Sequence, residues 1–309
     1  MWPFYSMILA LFVMLIVGFV ARKTGIIDDK ASKALSTAVI KIGQPFMIIG
    51  SMVNVEFSTE RLKNGFMVLG ISLLLHGLIA VVAYFAVFKY KSLDERKISE
   101  FAVVFGNCGF IGFPLIQSVL GDEGLFYASF FIISFNLFLW TWGIAIFARK
   151  RSDIKITPKS MILNFGTIPC IIGILIYSLQ IPIPDFLKMS FDYLGGICTP
   201  LSMLITGALL GTAKIKEIFA DLKAYYVSFL KLIVAPVISA IVCYAFRLNS
   251  FYIIFMAIMF AMPTATSAVM FGELFETEKR RASILCGLTS LLSMLTMPLL
   301  ISALNDIFS

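Results

Sequence analysis

Long apolar runs separated by short polar stretches set the plan of this chain. Runs of spanning length lie near 4–21, 33–53, 64–88, 100–119, 124–148, 160–179, 186–212, 222–246, 250–273 and 282–305. Each is close to the ~20 residues a helix needs to cross a bilayer's hydrocarbon core. The pattern predicts an all-α integral membrane protein of ten transmembrane helices, with both termini on one side. The first run follows Met1 almost directly, without a basic leader or small-residue cleavage site. It reads as a retained span rather than a signal peptide.

Two runs carry helix breakers at their centres. FGNCGFIGFPLIQ (105–117) places Gly106, Gly109, Gly112 and Pro114 among apolar residues, and FAMPTATSAVMFGE (260–273) places Pro263 before Thr264, Thr266 and Ser267. Proline removes a backbone donor and clashes one turn back, and glycine loosens the helix. Unwound backbone at that depth survives only inside protein or along a wet cavity. The two stretches are related by an internal repeat. A shift of 155 residues puts Gly18 on Gly173, QPFMIIGSM (44–52) on TPLSMLITG (199–207), Pro45 on Pro200 and His76 on Lys231, and a shift of 149 puts Pro114 on Pro263. The halves are 1–148 (helices 1–5) and 160–309 (helices 6–10), joined by a cytoplasmic linker at 149–159. Five spans per half is odd, so the second half enters the membrane inverted. Inverted repeats of this kind are typical of secondary transporters, whose substrate lies at the midplane between discontinuous helices. Two half-helix N-termini would present N–H groups and positive dipole ends to one point, which suits an anion such as a carboxylate. An ordinary proline kink in a packed helix is the plainer alternative.

Composition agrees with the membrane reading: 60% of the 309 residues are apolar, 14% are charged and the mean hydropathy is +0.95. Orientation accounts for the net charge of +7. The alternate loops 22–33, 89–99, 149–159, 213–223 and 276–281 hold 19 Lys and Arg, and the opposite loops 54–63, 120–123, 180–188 and 247–249 hold 4. Positive loops face the cytoplasm, so both termini are expected outside it, in the cell membrane, and no nucleic-acid partner is implied. Cys108, Cys170, Cys198, Cys243 and Cys286 all fall in apolar segments with no metal-ligand spacing, so they read as packing residues and no metal site is indicated.

At the broken segments the chain resembles the auxin efflux carrier family, which includes plant auxin exporters and bacterial organic-acid permeases. NCGFIGFPLIQSVLG (107–121), AMPTATSAVMFGELF (261–275) and NLFLWTWG (136–143) carry the likeness. The resemblance implies two inverted five-helix repeats of the bile-acid-symporter kind. Helices 1, 2, 6 and 7 would form a scaffold, often dimerising. Helices 3–5 and 8–10 would move, with helices 4 and 9 crossing at Pro114 and Pro263. It also implies that Asn107 and Asn136 face substrate. Where the plant carriers have a lysine soon after the first crossover proline this chain has Gln117, and their long mid-chain loop is absent. A small organic acid is therefore expected rather than auxin.

The expected substrate-binding set is Asn107, Gly112, Pro114, Gln117, Asn136, Pro263, Thr264, Thr266 and Ser267, with Gln44 and Thr199 from the scaffold side. Helix–helix hydrogen bonding is the alternative role for the polar members. His76, Lys231 and Lys41 are the ionisable residues inside spans. They could answer substrate charge or carry a coupled proton. His76 could equally be a packing histidine, and Lys41 could snorkel toward the cytoplasm. No acid lies at the midplane (Asp192 is the deepest), which disfavours a carboxylate sodium cage but leaves carbonyl-bound sodium open. The expected function is gradient-driven transport of a small organic anion such as malate or malonate, by an elevator-like alternation between inward- and outward-facing states. No cofactor is expected beyond a coupling ion. An anion channel and a ligand sensor of transporter fold remain as alternatives. A membrane enzyme would need a nucleophile–base set at one depth, which the sequence lacks.

Overall fold

The computed structural model describes residues 2–149, 167–212, 219–275, 277 and 279–308. Apart from Arg149, the expected linker 149–159 lies outside them. All regular structure among these residues is helical: α1 (Trp2–Lys23), α2 (Asp29–Ala38), α3 (Gln44–Val53), α4 (Thr59–Ala86), α5 (Leu93–Val104), α6 (Phe113–Phe138), α7 (Ile144–Ala148), α8 (Thr167–Ser178), α9 (Asp185–Gly196), α10 (Cys198–Thr212), α11 (Leu222–Phe229), α12 (Ala235–Ala245), α13 (Ser250–Ala261), α14 (Ser267–Leu274) and α15 (Lys279–Phe308). Among the described residues six helical stretches are long and apolar enough to cross a membrane: Asp29–Val53, Thr59–Ala86, Cys108–Ala148, Asp185–Thr212, Leu222–Ala245 and Arg280–Phe308. Residues 160–166 of the sixth expected span lie outside the described residues, and other expected spans are redrawn by breaks. Cys108–Ala148 runs across Gly121, whose φ of 64° interrupts the helix between the segments expected to end at 119 and start at 124. The apolar α13 is only 12 residues because the chain breaks after it, and α5, charged in its first half, likewise stops after 12.

Local sequence explains the helix starts. Ser92, Asp221 and Asn249 each accept main-chain N–H groups at the heads of α5, α11 and α13. Such caps satisfy donors that a helix leaves unpaired. Three of the four π-helical turns among the described residues, Val39–Gly43, Cys108–Gly112 and Leu230–Val234, run into a helix whose second residue is proline, Pro45, Pro114 and Pro236; the fourth, Leu139–Gly143, has no proline after it. Proline cannot donate to the turn before it, and a wider turn accommodates the missing bond.

The chain divides into two compact units. The first comprises Met1–Gly70, Gly109–Leu137 and Pro158–Thr212. Here α1 lies against α10 with almost no gap. A Cβ on Gly18 would come 2.1 Å from the Leu204 carbonyl oxygen, and one on Gly207 would come 1.9 Å from that of Leu15. At the α3–α8 contact a Cβ on Gly173 would instead meet a side chain, 2.6 Å from the Met52 sulfur. Small residues that admit close backbone approach substitute for a hydrophobic driving force between helices in lipid.

The second unit comprises Ile71–Cys108, Phe138–Thr157 and Ala213–Ser309. Its core is aromatic, with Phe101, Phe105, Phe147 and Phe271 fully buried. At one end an ion network ties α5, α11 and α15 together. Arg281 contacts Glu95 at 3.0 Å and Asp221 at 2.9 Å, and Lys223 reaches Glu95 at 2.8 Å. Tyr90 sits under Lys223 and Arg281, and burial raises its phenol above the ordinary range against the opposing pull of Arg281. Nearby, Glu100 is wholly buried and holds Arg149 through two bonds of 2.5 and 2.7 Å.

Candidate functional site

The second unit holds two helix breaks that pair with each other. Helix α5 stops at Val104, and Phe105 turns to extended backbone with φ −98° and ψ 112°. Helix α13 stops at Ala261, and Met262 adopts φ −54° and ψ 137°. Pro263 supplies the reason for the second break, because the residue before a proline is forced out of the helical region. The two extended segments then form an antiparallel bridge between Gly106 and Thr264. The Asn107 N–H donates to the Pro263 carbonyl at 2.7 Å and the Ala265 N–H to Phe105 at 2.9 Å. A side chain at 106 would not fit, because its Cβ would lie 2.9 Å from the Met262 Cβ and 3.2 Å from the Lys231 Nζ.

The geometry changes one expectation. The first break falls at Phe105–Asn107, ahead of Pro114, which sits inside the helical run that opens with the Cys108–Gly112 π turn, where the wider turn accommodates its missing N–H. Main-chain donors in the two extended segments are bonded within the protein. Those of Asn107 and Ala265 serve the bridge, and the Thr264 N–H donates to the Thr289 hydroxyl at 3.0 Å. The Thr264 hydroxyl in turn donates to the Ala102 carbonyl at 3.2 Å. Thr264 therefore holds the break together with both its polar groups.

The carbonyl end of α5 collects donors from the second half of the chain. Ala102 accepts from Thr264, Phe105 accepts from Ala265, and Val104 accepts from the Lys231 Nζ at 3.4 Å. Lys231 lies in the π turn before α12 and is 1% exposed. His76 on α4 is equally buried. Its Nδ1 is 2.7 Å from the Ser72 carbonyl, and its ring packs against Phe138 and Phe260. Phe260 belongs to the last turn of α13. The two residues matched by the internal repeat thus stand at corresponding places, Lys231 on the end of one broken helix and His76 beside the end of the other.

Within this unit Asn107, Pro263, Thr264, His76 and Lys231 come together. Asn107 is 4% exposed. Thr266 and Ser267 are half-buried at the head of α14, and the Ser267 hydroxyl is enclosed with no hydrogen-bond partner among the described residues. The indole N–H of Trp142 is in the same condition. It lies in the quoted NLFLWTWG stretch but carried no expected role, because aromatic residues are too numerous here to single one out.

The remaining candidates belong to the first unit. Gln44 is buried against Gly109, where a Cβ would come 2.6 Å from its amide nitrogen. Asn136 donates to the Thr167 hydroxyl at 3.1 Å. Gln117 is exposed and lines a cavity of about 260 Å³ with Asn54, Asp122 and Asp192. In that cavity Asn54 donates to Asp192 at 2.8 Å. Gly112 and Pro114 are buried, Thr199 is half-buried, and Lys41 is exposed. No cluster of His, Cys, Asp or Glu among the described residues could hold a metal.

Comparison with known proteins agrees with this picture. A family model described as "Membrane transport protein" matches residues 3–301. An uncharacterized transporter of Methanocaldococcus jannaschii is 25% identical over 95% of this chain and 96% of its own length. A second uncharacterized transporter, from Methanothermobacter thermautotrophicus, is 21% identical over 94% of this chain and 95% of its own. A multi-pass chain of apolar helices matched over nearly its whole length in this way belongs to the membrane transport protein family, that of the auxin efflux carriers.

Proposed function

We propose that the protein is a secondary transporter of a small organic anion, a mono- or dicarboxylate of the malate or malonate kind. The observation that carries this reading is the bridge between Gly106 and Thr264, which joins two broken helices deep in one unit. Broken helices with paired backbone at that depth are a transporter device, because irregular backbone in a membrane protein must be enclosed by protein or border a wet cavity.

The ten-helix inverted repeat is part of the proposal. It is supported by the corresponding positions of His76 and Lys231, and by the helix pairs α1–α10 and α3–α8, which approach at the shift-related Gly18 and Gly173. In this reading Asn107, Thr266, Ser267 and Asn136 offer polar contacts to the carboxylate, Gln44 and Thr199 contribute from the scaffold, and the α5–α13 region moves in an elevator-like manner. Dimerisation through the scaffold, residence in the cell membrane and extracytoplasmic termini complete it. The driving force is a gradient of the anion itself, of protons or of membrane potential. A thermal-shift screen of the purified protein against organic acids, followed by proteoliposome flux of each hit, tests the reading. Binding without flux would convert the protein into a sensor.

A further inference from the structure

We propose that the Lys231 ammonium is a resident cation of the paired breaks, occupying on the carbonyl end of α5 the position that a dissolved cation such as sodium would otherwise fill. The last carbonyls of a helix are left without intrahelical partners and carry the negative end of its dipole. At unwound segments inside transporters, such carbonyl ends coordinate cations. Here the Val104 oxygen faces the Lys231 Nζ at 3.4 Å, and a Cβ on Gly106 would lie 3.2 Å from the same nitrogen. Lys231 is 1% exposed, and among the described residues no carboxylate stands within ion-pair distance of it. The titratable side chains that act on it electrostatically are His76 and Cys108, and neither is a carboxylate. A charge so buried is held by dipoles rather than by a counter-ion, and the main-chain oxygen at the end of α5 is the dipole supplied. The position is also built for the side chain: the Leu230–Val234 π turn sets Lys231 just ahead of Pro236, and residue 106 is a glycine.

The assignment rests on the transporter reading only for its consequence for flux, which is that transport needs no sodium. The site itself is tested without a transported solute. Full-length wild type and Lys231→Ala are purified in detergent, and thermal unfolding is followed in sodium, ammonium, methylammonium and choline chloride at equal ionic strength. Wild type should unfold at one temperature in all four salts. Lys231→Ala should unfold several degrees lower in choline and recover most of that loss in ammonium, methylammonium or sodium. An alanine variant as stable as wild type, or one destabilised equally in every salt, overturns the proposal, as does a wild type stabilised selectively by sodium. Where the alanine variant does not fold, Lys231→Gln decides, since it keeps a donor without the charge. It should be less stable than wild type, and equal stability overturns the proposal. Cation rescue without carboxylate flux would leave the site standing and remove only the transporter reading.

Discussion

Gly106 and Thr264 face each other across a single antiparallel bridge, each just beyond the point where a helix stops. The pairing leaves no room at position 106. Gly106→Ala should cost about 1–3 kcal/mol through overpacking against Met262, read as a lower unfolding temperature of the purified protein. A Gly106→Ala protein of wild-type stability would mean that the segments are not held this closely.

Thr264 contributes through its side chain as well as its backbone. Thr264→Val keeps the shape but removes the bond to the Ala102 carbonyl. The expected loss is about 1 kcal/mol. Thr264→Ser, which restores the donor, should recover most of it in the same thermal assay.

Glycines separate into two kinds. Gly207→Ala would drive its Cβ to 1.9 Å from the Leu15 carbonyl oxygen, so α1 and α10 must separate. A loss of about 1–3 kcal/mol or more is expected. Gly70 lies inside α4 with open space where its Cβ would go. Gly70→Ala should be neutral or stabilising by about 0.5–1 kcal/mol, the helical penalty of glycine. Parallel melting curves of the two variants check the contrast.

Glu100 is wholly enclosed while its partner Arg149 is partly exposed. Glu100→Ala removes two charge-assisted bonds and leaves the guanidinium partly solvated, so it should cost about 1.5–3 kcal/mol. The double variant Glu100→Ala with Arg149→Met should recover part of that loss, and a double variant less stable than Glu100→Ala would contradict the pairing.

Much of this was legible in the sequence because lipid leaves few options. Apolar run length gave the membrane class, and the glycines and prolines of 105–117 and 260–273 marked where the helices break. Proline located the second break, since its constraint acts on the residue before it, Met262. It mislocated the first, because Pro114 lies within a helical run that a π turn keeps continuous, and the break sits at Gly106 with no proline to signal it. Backbone pairing between distant segments leaves no periodic trace, which is why the bonds made by the N–H groups of Asn107, Thr264 and Ala265 could not be read from the sequence. Lys231 stood out as a charge in an apolar run. Its partner could not be read, because that partner is a main-chain oxygen and any residue carries one.

The most direct test of the transport account is uptake of labelled malate and malonate into proteoliposomes, with wild type and Asn107→Ala compared at equal incorporation. The account predicts saturable uptake that is accelerated by unlabelled acid inside and reduced in the variant. Absence of carboxylate uptake under every imposed gradient, or conductance that fails to saturate, would contradict it.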